Sequence, residues 1–243
     1  MGSISKLREL RSGDVAVRRL ALEGLKSLDD AELLDEIVRW LVEDDDEEVR
    51  KEAEKVILET RPAAALNRLK GMLTSPTARA RYTAARMVQA LGWIPSTPLE
   101  HARLLVAQGL FELAAREGAV ALDSLALEAT TGSNHTASAL SAMVAIGHAA
   151  VPRLLTIFRN SKWSEEIARA VAEGRNRASE LFFTEGLKDH GKCAETLCRV
   201  LSDTPIPRTT RALTHIVQDR TNSSALRRVA AQALVATSEA TAD

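Results

Sequence analysis

His190, Cys193 and Cys198 come nearest to a metal-ligand set, with the spacing His-x-x-Cys followed four residues on by the second Cys. Structural zinc sites use two close-spaced ligand pairs, and this segment offers one incomplete set. Cys198 also falls on an apolar stripe with Leu197 and Leu201, the pattern of a core cysteine. The other histidines, His101, His135, His148 and His215, are scattered. No H-E-x-x-H, G-x-S-x-G or Gly-rich phosphate loop occurs. The expectation is therefore a protein with no catalytic residues, metal or cofactor, and not an enzyme.

Binding chemistry is better represented. Arg79, Tyr82 and Arg86 are spaced to share one helix face. A tyrosine between two arginines has the composition of an interaction hot spot, against the plainer reading of a solvated helix face. Arg19, Lys51, Tyr82 and Arg228 each follow directly on Arg18, Arg50, Arg81 and Arg227, and one turn further come Glu23, Lys55, Arg86 and Gln232. If the segments stack, equivalent positions form a ridge. The candidate partner-binding residues are thus Arg19, Lys51, Arg79, Tyr82, Arg86 and Arg228. Trp40, Trp93 and Trp163 are the residues to consider for stacking on bases, but their places at the end of a stripe and in a connecting segment favour packing.

The elements that position these residues repeat. Asp14-Val-Ala-Val17-Arg18, Asp46-Glu-Glu-Val49-Arg50, Thr77-Ala-Arg-Ala80-Arg81 and Ser223-Ser-Ala-Leu226-Arg227 share one pattern, and the first three lie 32 and 31 residues apart. Asp, Thr or Ser before an apolar-periodic run is an N-cap, whose side chain accepts a free first-turn N–H. Val17, Ala21, Leu25 and Leu28 form an apolar stripe, as do Val49, Ala53, Val56 and Ile57, and Ala80, Ala84, Met87, Val88 and Leu91. A further helix fits between successive caps, marked by Leu33, Leu34, Ile37, Val38, Leu41 and Val42, and then by Leu66, Leu69, Met72 and Leu73. Later come Val151, Leu154, Leu155 and Phe158. Aromatics are 3 % of residues while hydrophobic residues are 45 %, and no period-2 run or Asn-Gly turn signals a sheet.

Helix pairs whose second member opens with D-x-x-V-R resemble HEAT repeats. Leu91-Gly-Trp93-Ile-Pro95, with Glu100, Ala102, Leu105, Ala107 and Gly118-Ala-Val120, resembles the linker inserted between repeat groups in prokaryotic HEAT proteins, the broad group that includes phycobilin-lyase-type repeats. The resemblance implies an all-α fold, an α-α superhelix: a right-handed solenoid of antiparallel helix pairs over 1–243. Regular repeats would occupy 1–92, a linker insertion 93–120 and degenerate repeats 121–243. HEAT-type hydroxylases carry His-Glu dipeptides for a di-iron site; this chain has none, so that activity is not implied.

Charge alternates along the chain. Residues 29–60 hold 4 basic and 14 acidic side chains, a net −10, between flanks of +3 (1–28) and +6 (61–116), although the whole chain is −1. Within the acidic segment, Glu43 to Glu48 read as a solvated turn and helix start, or as an acidic docking site. Near-neutrality excludes steering to polyanions by net charge alone. No apolar stretch is long enough to span a bilayer. Two cysteines do not make a secreted disulfide framework. The expectation is a cytoplasmic scaffold or adaptor that binds a protein partner along its surface, without a membrane; the alternative is a nucleic-acid-binding solenoid related to DNA repair.

Overall fold

A computed structural model describes residues 2–25, 27–132, 134–189 and 191–240. Among these every regular element is a helix. The packing divides the chain into two compact units, Met1–Leu110 and Phe111–Asp243.

The first unit holds α1 (Gly2–Leu10), α2 (Val15–Glu23), α3 (Ala31–Glu43), α4 (Glu47–Thr60), α5 (Ala63–Met72), α6 (Ala78–Ala90) and α7 (Pro98–Ala107). They pair as α1/α2, α3/α4 and α5/α6, with α7 against α6; α2 packs on α4, and α3 on both α1 and α5. The apolar stripes form the core. Ala21, Ile37, Val49, Ala53, Ile57, Leu69, Ala84 and Val88 are almost wholly buried in one cluster, with Trp40 and Trp93 packed against it. Small Ala residues at the helix contacts let the pairs approach closely, which suits a core poor in rings. Asp14 and Asp46 cap α2 and α4 by accepting the N–H groups of Ala16 and Val49. Thr77 makes no side-chain cap bond to α6; it donates its own N–H to Ser75 Oγ at 3.3 Å.

The repeated arginine closes the turn inside each pair. Nη1 of Arg18, Arg50 and Arg81 donates to the carbonyl six residues upstream, on Ser12 (3.0 Å), Asp44 (2.6 Å) and Ser75 (2.7 Å). The side chains of Ser12, Asp44 and Ser75 in turn accept the N–H of the residue two further on. The turn carbonyl and the cap N–H are both satisfied by residues the repeat itself supplies. Arg18 also reaches the next repeat, with Nε and Nη2 donating to the Asp44 carboxylate at 3.0 and 3.1 Å and the guanidinium 5.0 Å from the Trp40 ring centre.

The charge alternation is explained by pairs that cross between repeats. Arg11 bonds Glu32 and Glu36, Arg18 bonds Asp44, Arg68 bonds Asp35 and Arg86 bonds Glu54. The acidic segment is thus held by basic residues on both sides of it. Asp44 is spent on Arg18, Asp46 on its cap, and Glu47 and Glu48 on Lys51, so the run from Glu43 to Glu48 is largely committed to structure.

The second unit holds α8 (Phe111–Arg116), α9 (Leu122–Thr130), α10 (Thr136–Ile146), α11 (Val151–Asn160), α12 (Ser164–Glu173), α13 (Arg177–Gly186), α14 (Lys192–Asp203), α15 (Thr210–Gln218) and α16 (Ser224–Glu239). The pairs are α9/α10, α11/α12, α13/α14 and α15/α16, with α10, α12, α14 and α16 packing in succession. Phe158, Phe182 and Phe183 fill its centre, edge to face at 5.5 and 5.3 Å. Helices α10, α12 and α14 have no side-chain cap bond, and where the signature would place arginine α10 and α12 bury Ala139 and Ile167. Only at α16 does the signature return, with Ser223 accepting the Leu226 N–H.

Candidate functional site

The outer face of α4 and α6 carries most of the candidate residues, because the apolar stripes turn the opposite faces into the core. Lys51, Arg79, Tyr82 and Arg86 are all exposed. Lys51, Arg79 and Arg86 line a groove of ≈ 350 Å³ together with Glu47 and Glu54. Tyr82 and Arg86 line a neighbouring groove of ≈ 260 Å³ with Gln89, Gln108 and Leu110. Arg86 belongs to both grooves.

The electrostatics differ from residue to residue. Lys51 Nζ sits 2.9 Å from Glu47 and 3.0 Å from Glu48; these bonds raise the lysine above its ordinary pKa and lower Glu47. Arg86 is held by Glu54 of the preceding repeat, which likewise raises its pKa. Lys55 is raised by Glu52, at 2.9 Å. Arg79 has no carboxylate partner among the described residues. Tyr82 is 58 % exposed, a large ring standing between a fixed and an unengaged guanidinium.

The other two candidates lie elsewhere. Arg19 is exposed on α2, 3.7 Å from Glu23, and lines neither groove. Arg228 is exposed on α16, in the second unit. Sequence reasoning missed Glu54, Gln108 and Leu110. Glu54 could have been found from its 32-residue spacing to Arg86, the repeat length. Gln108 and Leu110 follow α7, outside the regular register, and nothing in the pattern signals them. Leu20, 66 % exposed beside Arg19, was hidden by being three residues after Val17, as a stripe residue would be.

Trp40 and Trp93 are taken up in packing and cation contacts, whereas Trp163 is 47 % exposed, with only Lys162 Nζ over its ring at 5.1 Å. Trp40 is half-buried under Arg18 and Arg39, and Trp93 under Lys70, whose Nζ lies 4.9 Å from the ring centre. Lys70 also pairs with Glu100 at 2.6 Å, so Leu91–Pro95 and the start of α7 are tied to α5 through one lysine. Burial pushes the Cys198 thiol up to about 12, which leaves it protonated and unreactive. Among the described residues no three His, Cys, Asp or Glu side chains converge as metal ligands; His190 lies outside them.

Paired helices whose turns are closed by an internal arginine, stacked on the next pair by ion pairs one repeat length apart, define an α-helical repeat protein. Residues 4–92 match the family model for HEAT repeats, so that stretch of the chain is a HEAT-repeat array. No curated protein matches the chain.

Proposed function

We propose that the chain is a non-enzymatic interaction module, acting in the cytoplasm, that binds a protein partner across the outer face of α4 and α6. HEAT repeats commonly serve as scaffolds for protein interaction, since stacked pairs offer extended surfaces. The observation that carries the reading is Tyr82, exposed between Arg86, which Glu54 immobilises, and Arg79, which no described carboxylate engages. A tyrosine here buries a large ring with little rotamer entropy lost, and the flanking guanidiniums add directional donors. The charge around it favours protein over nucleic acid. Lys51 and Arg86 are paired with Glu47 and Glu54, which line the groove beside them, so it lacks the unbroken positive track that a phosphate backbone requires. No helix among the described residues is long and apolar enough to cross a membrane, and Cys193 and Cys198 are free thiols.

The test is a binding titration of an isolated partner against wild type, Tyr82→Ala and Arg79→Ala/Arg86→Ala at low and high salt. Tyr82→Ala should cost about 2 kcal/mol, roughly 30-fold in Kd, with an unchanged helical spectrum. Equal affinity of all three proteins would reduce the face to a solvated surface. A nucleic-acid ligand whose salt dependence flattens in the double arginine variant would support the other reading.

A further inference from the structure

The second unit contains a cavity of ≈ 520 Å³ between the end of α13 and α15. Its floor is Leu187 and Ile216, both almost wholly buried, with Ala212 beside them. Lys188, Arg208, Arg211 and His215 also line it, and no Asp or Glu among the described residues does. The register of α15 produces this mixed lining. Arg211 and His215 are one turn apart on one row, and Ala212 and Ile216 one turn apart on the next, so a single helix presents a basic edge and an apolar wall together.

The positive charge is incompletely offset. Lys188 pairs with Glu185 at 2.7 Å. Arg208 pairs at 3.0 Å with Glu180, which is shared with Arg177 at 2.9 Å. Arg211 has no carboxylate partner among the described residues. Both Arg208 and Arg211 stand at the N-terminal end of α15, whose first turn has no acidic residue. The helix dipole is positive at that end and disfavours cations there, so the structure places two arginines where an anion would relieve them.

We propose that this cavity is a binding site for a small organic anion with an apolar body, its charged head on Arg211 and Arg208 and its body against Leu187, Ala212 and Ile216. The volume lies within the range of about 300–1,000 Å³ usual for small-molecule pockets. Combining an apolar wall with a few convergent polar groups is what such sites do: the wall supplies affinity and the cations fix orientation. A free inorganic anion would leave the wall unused, and a neutral hydrocarbon would leave Arg211 unpaired. The site is independent of the protein-interaction face on α4 and α6, and its test does not depend on finding that partner.

The probe is octanoate, titrated into the full-length protein by calorimetry and followed in amide spectra, with octanol and inorganic phosphate as matched controls. Octanoate should saturate a single site, with shifts centred on 184–188, 208–216 and Asn222, and the two controls should each bind at least about tenfold more weakly. Arg211→Ala should weaken octanoate by about tenfold or more, since it removes a charge-assisted contact. Ala212→Leu should fill the cavity and abolish binding while leaving every cation in place, and unchanged melting curves would confirm that both variants fold. Octanol equal to octanoate, phosphate equal to octanoate, undiminished affinity in Arg211→Ala, or shifts centred elsewhere would each overturn the proposal. So would the finding that octanoate fails while an acidic peptide occupies the same residues, which would make the cavity part of a protein interface.

Discussion

Replacing Asp44 by alanine tests whether the turn network holds the first repeats together. The Asp44 side chain is 1 % exposed and that of Arg18 10 %. The substitution removes two charge-assisted bonds from Arg18, at 3.0 and 3.1 Å, and the bond from the Asp46 N–H at 2.9 Å. It leaves the guanidinium with the Ser12 carbonyl and the face of Trp40 as its partners. Breaking a buried ion pair by removing one partner costs about 3–5 kcal/mol, much of it from the charge left unpaired. At roughly 0.05–0.15 kcal/mol per residue, a unit of this size has a net stability on the order of 5–15 kcal/mol, so the loss would be a large fraction of it. Arg18→Met removes the charge itself, and the double variant Arg18→Met/Asp44→Ala should be more stable than Asp44→Ala alone by about 1 kcal/mol or more. Urea unfolding of the four proteins, with amide exchange in α2 and α4 to localise the effect, completes the cycle. Strict additivity of the two single variants, or a cost below about 1 kcal/mol for Asp44→Ala, would refute the claim that this pair couples the first two repeats.

Gly174→Ala should destabilise the second unit by about 1–2 kcal/mol in urea unfolding, because the added Cβ would lie 2.5 Å from Val144 Cγ1 and 3.1 Å from Ser179 Oγ. Val144 is β-branched and buried, so it has little room to rotate, and overpacking should outweigh the helical advantage of alanine at this right-handed position. Glu100 is held down to about 2, first by the hydrogen bond from Lys70 and then by the Ser96 side chain and backbone. A depressed carboxylate contributes stability that is complete above its ordinary value of about 4.5 and is lost as pH falls through about 2. The difference in urea midpoint between wild type and Glu100→Gln should therefore shrink steadily between those two pH values; a difference that stays constant with pH would contradict the assignment.

The first unit was legible because each repeat solves its local problems with side chains. A cap at Asp14 or Asp46, an apolar residue three further on and an arginine after it are all visible as letters, and most of the stripe residues that follow are buried, although α2 ends at Glu23, short of Leu25 and Leu28, and buries Leu22 beside Ala21. One further letter of the same motif went unread. Ser12, Asp44 and Ser75, each two residues before the cap, close the turn by accepting the cap N–H and offering a carbonyl to the arginine. Residue type varies between Ser and Asp there, so the position is recognised by its hydrogen-bonding role rather than by its name. The second unit is harder to read because α10, α12 and α14, the counterparts of α2, α4 and α6, open without a side-chain cap bond. The 3-10 turns Gly118–Ala121, His148–Ala150 and Pro207–Thr209 lead directly into α9, α11 and α15, and these helices need no Asp or Ser cap. Phe158, Phe182 and Phe183 take part of the place of Leu and Val in its core.

The charges show a similar division between what the repeat demands and what it leaves over. Alternation of acidic and basic segments was visible as net charge, but its meaning lies in register. Arg68 meets Asp35 across 33 residues, Arg86 meets Glu54 across 32, Arg159 meets Asp189 across 30 and Arg169 meets Asp203 across 34. Each span is about one repeat, so a charge at one position finds its partner at the equivalent place on the next pair. Exposed pairs of this kind contribute only about 0–1 kcal/mol each, and their chief effect is to bias how one pair sits on the next. A cation that this scheme leaves without a carboxylate is available to something outside the fold. Arg79 beside Tyr82 and Arg211 above Ile216 both meet that condition among the described residues. Taken with the exposed Tyr82 ring and with the apolar wall of the α15 cavity, that condition is the physical reason for proposing a protein contact at the first and a small-anion contact at the second.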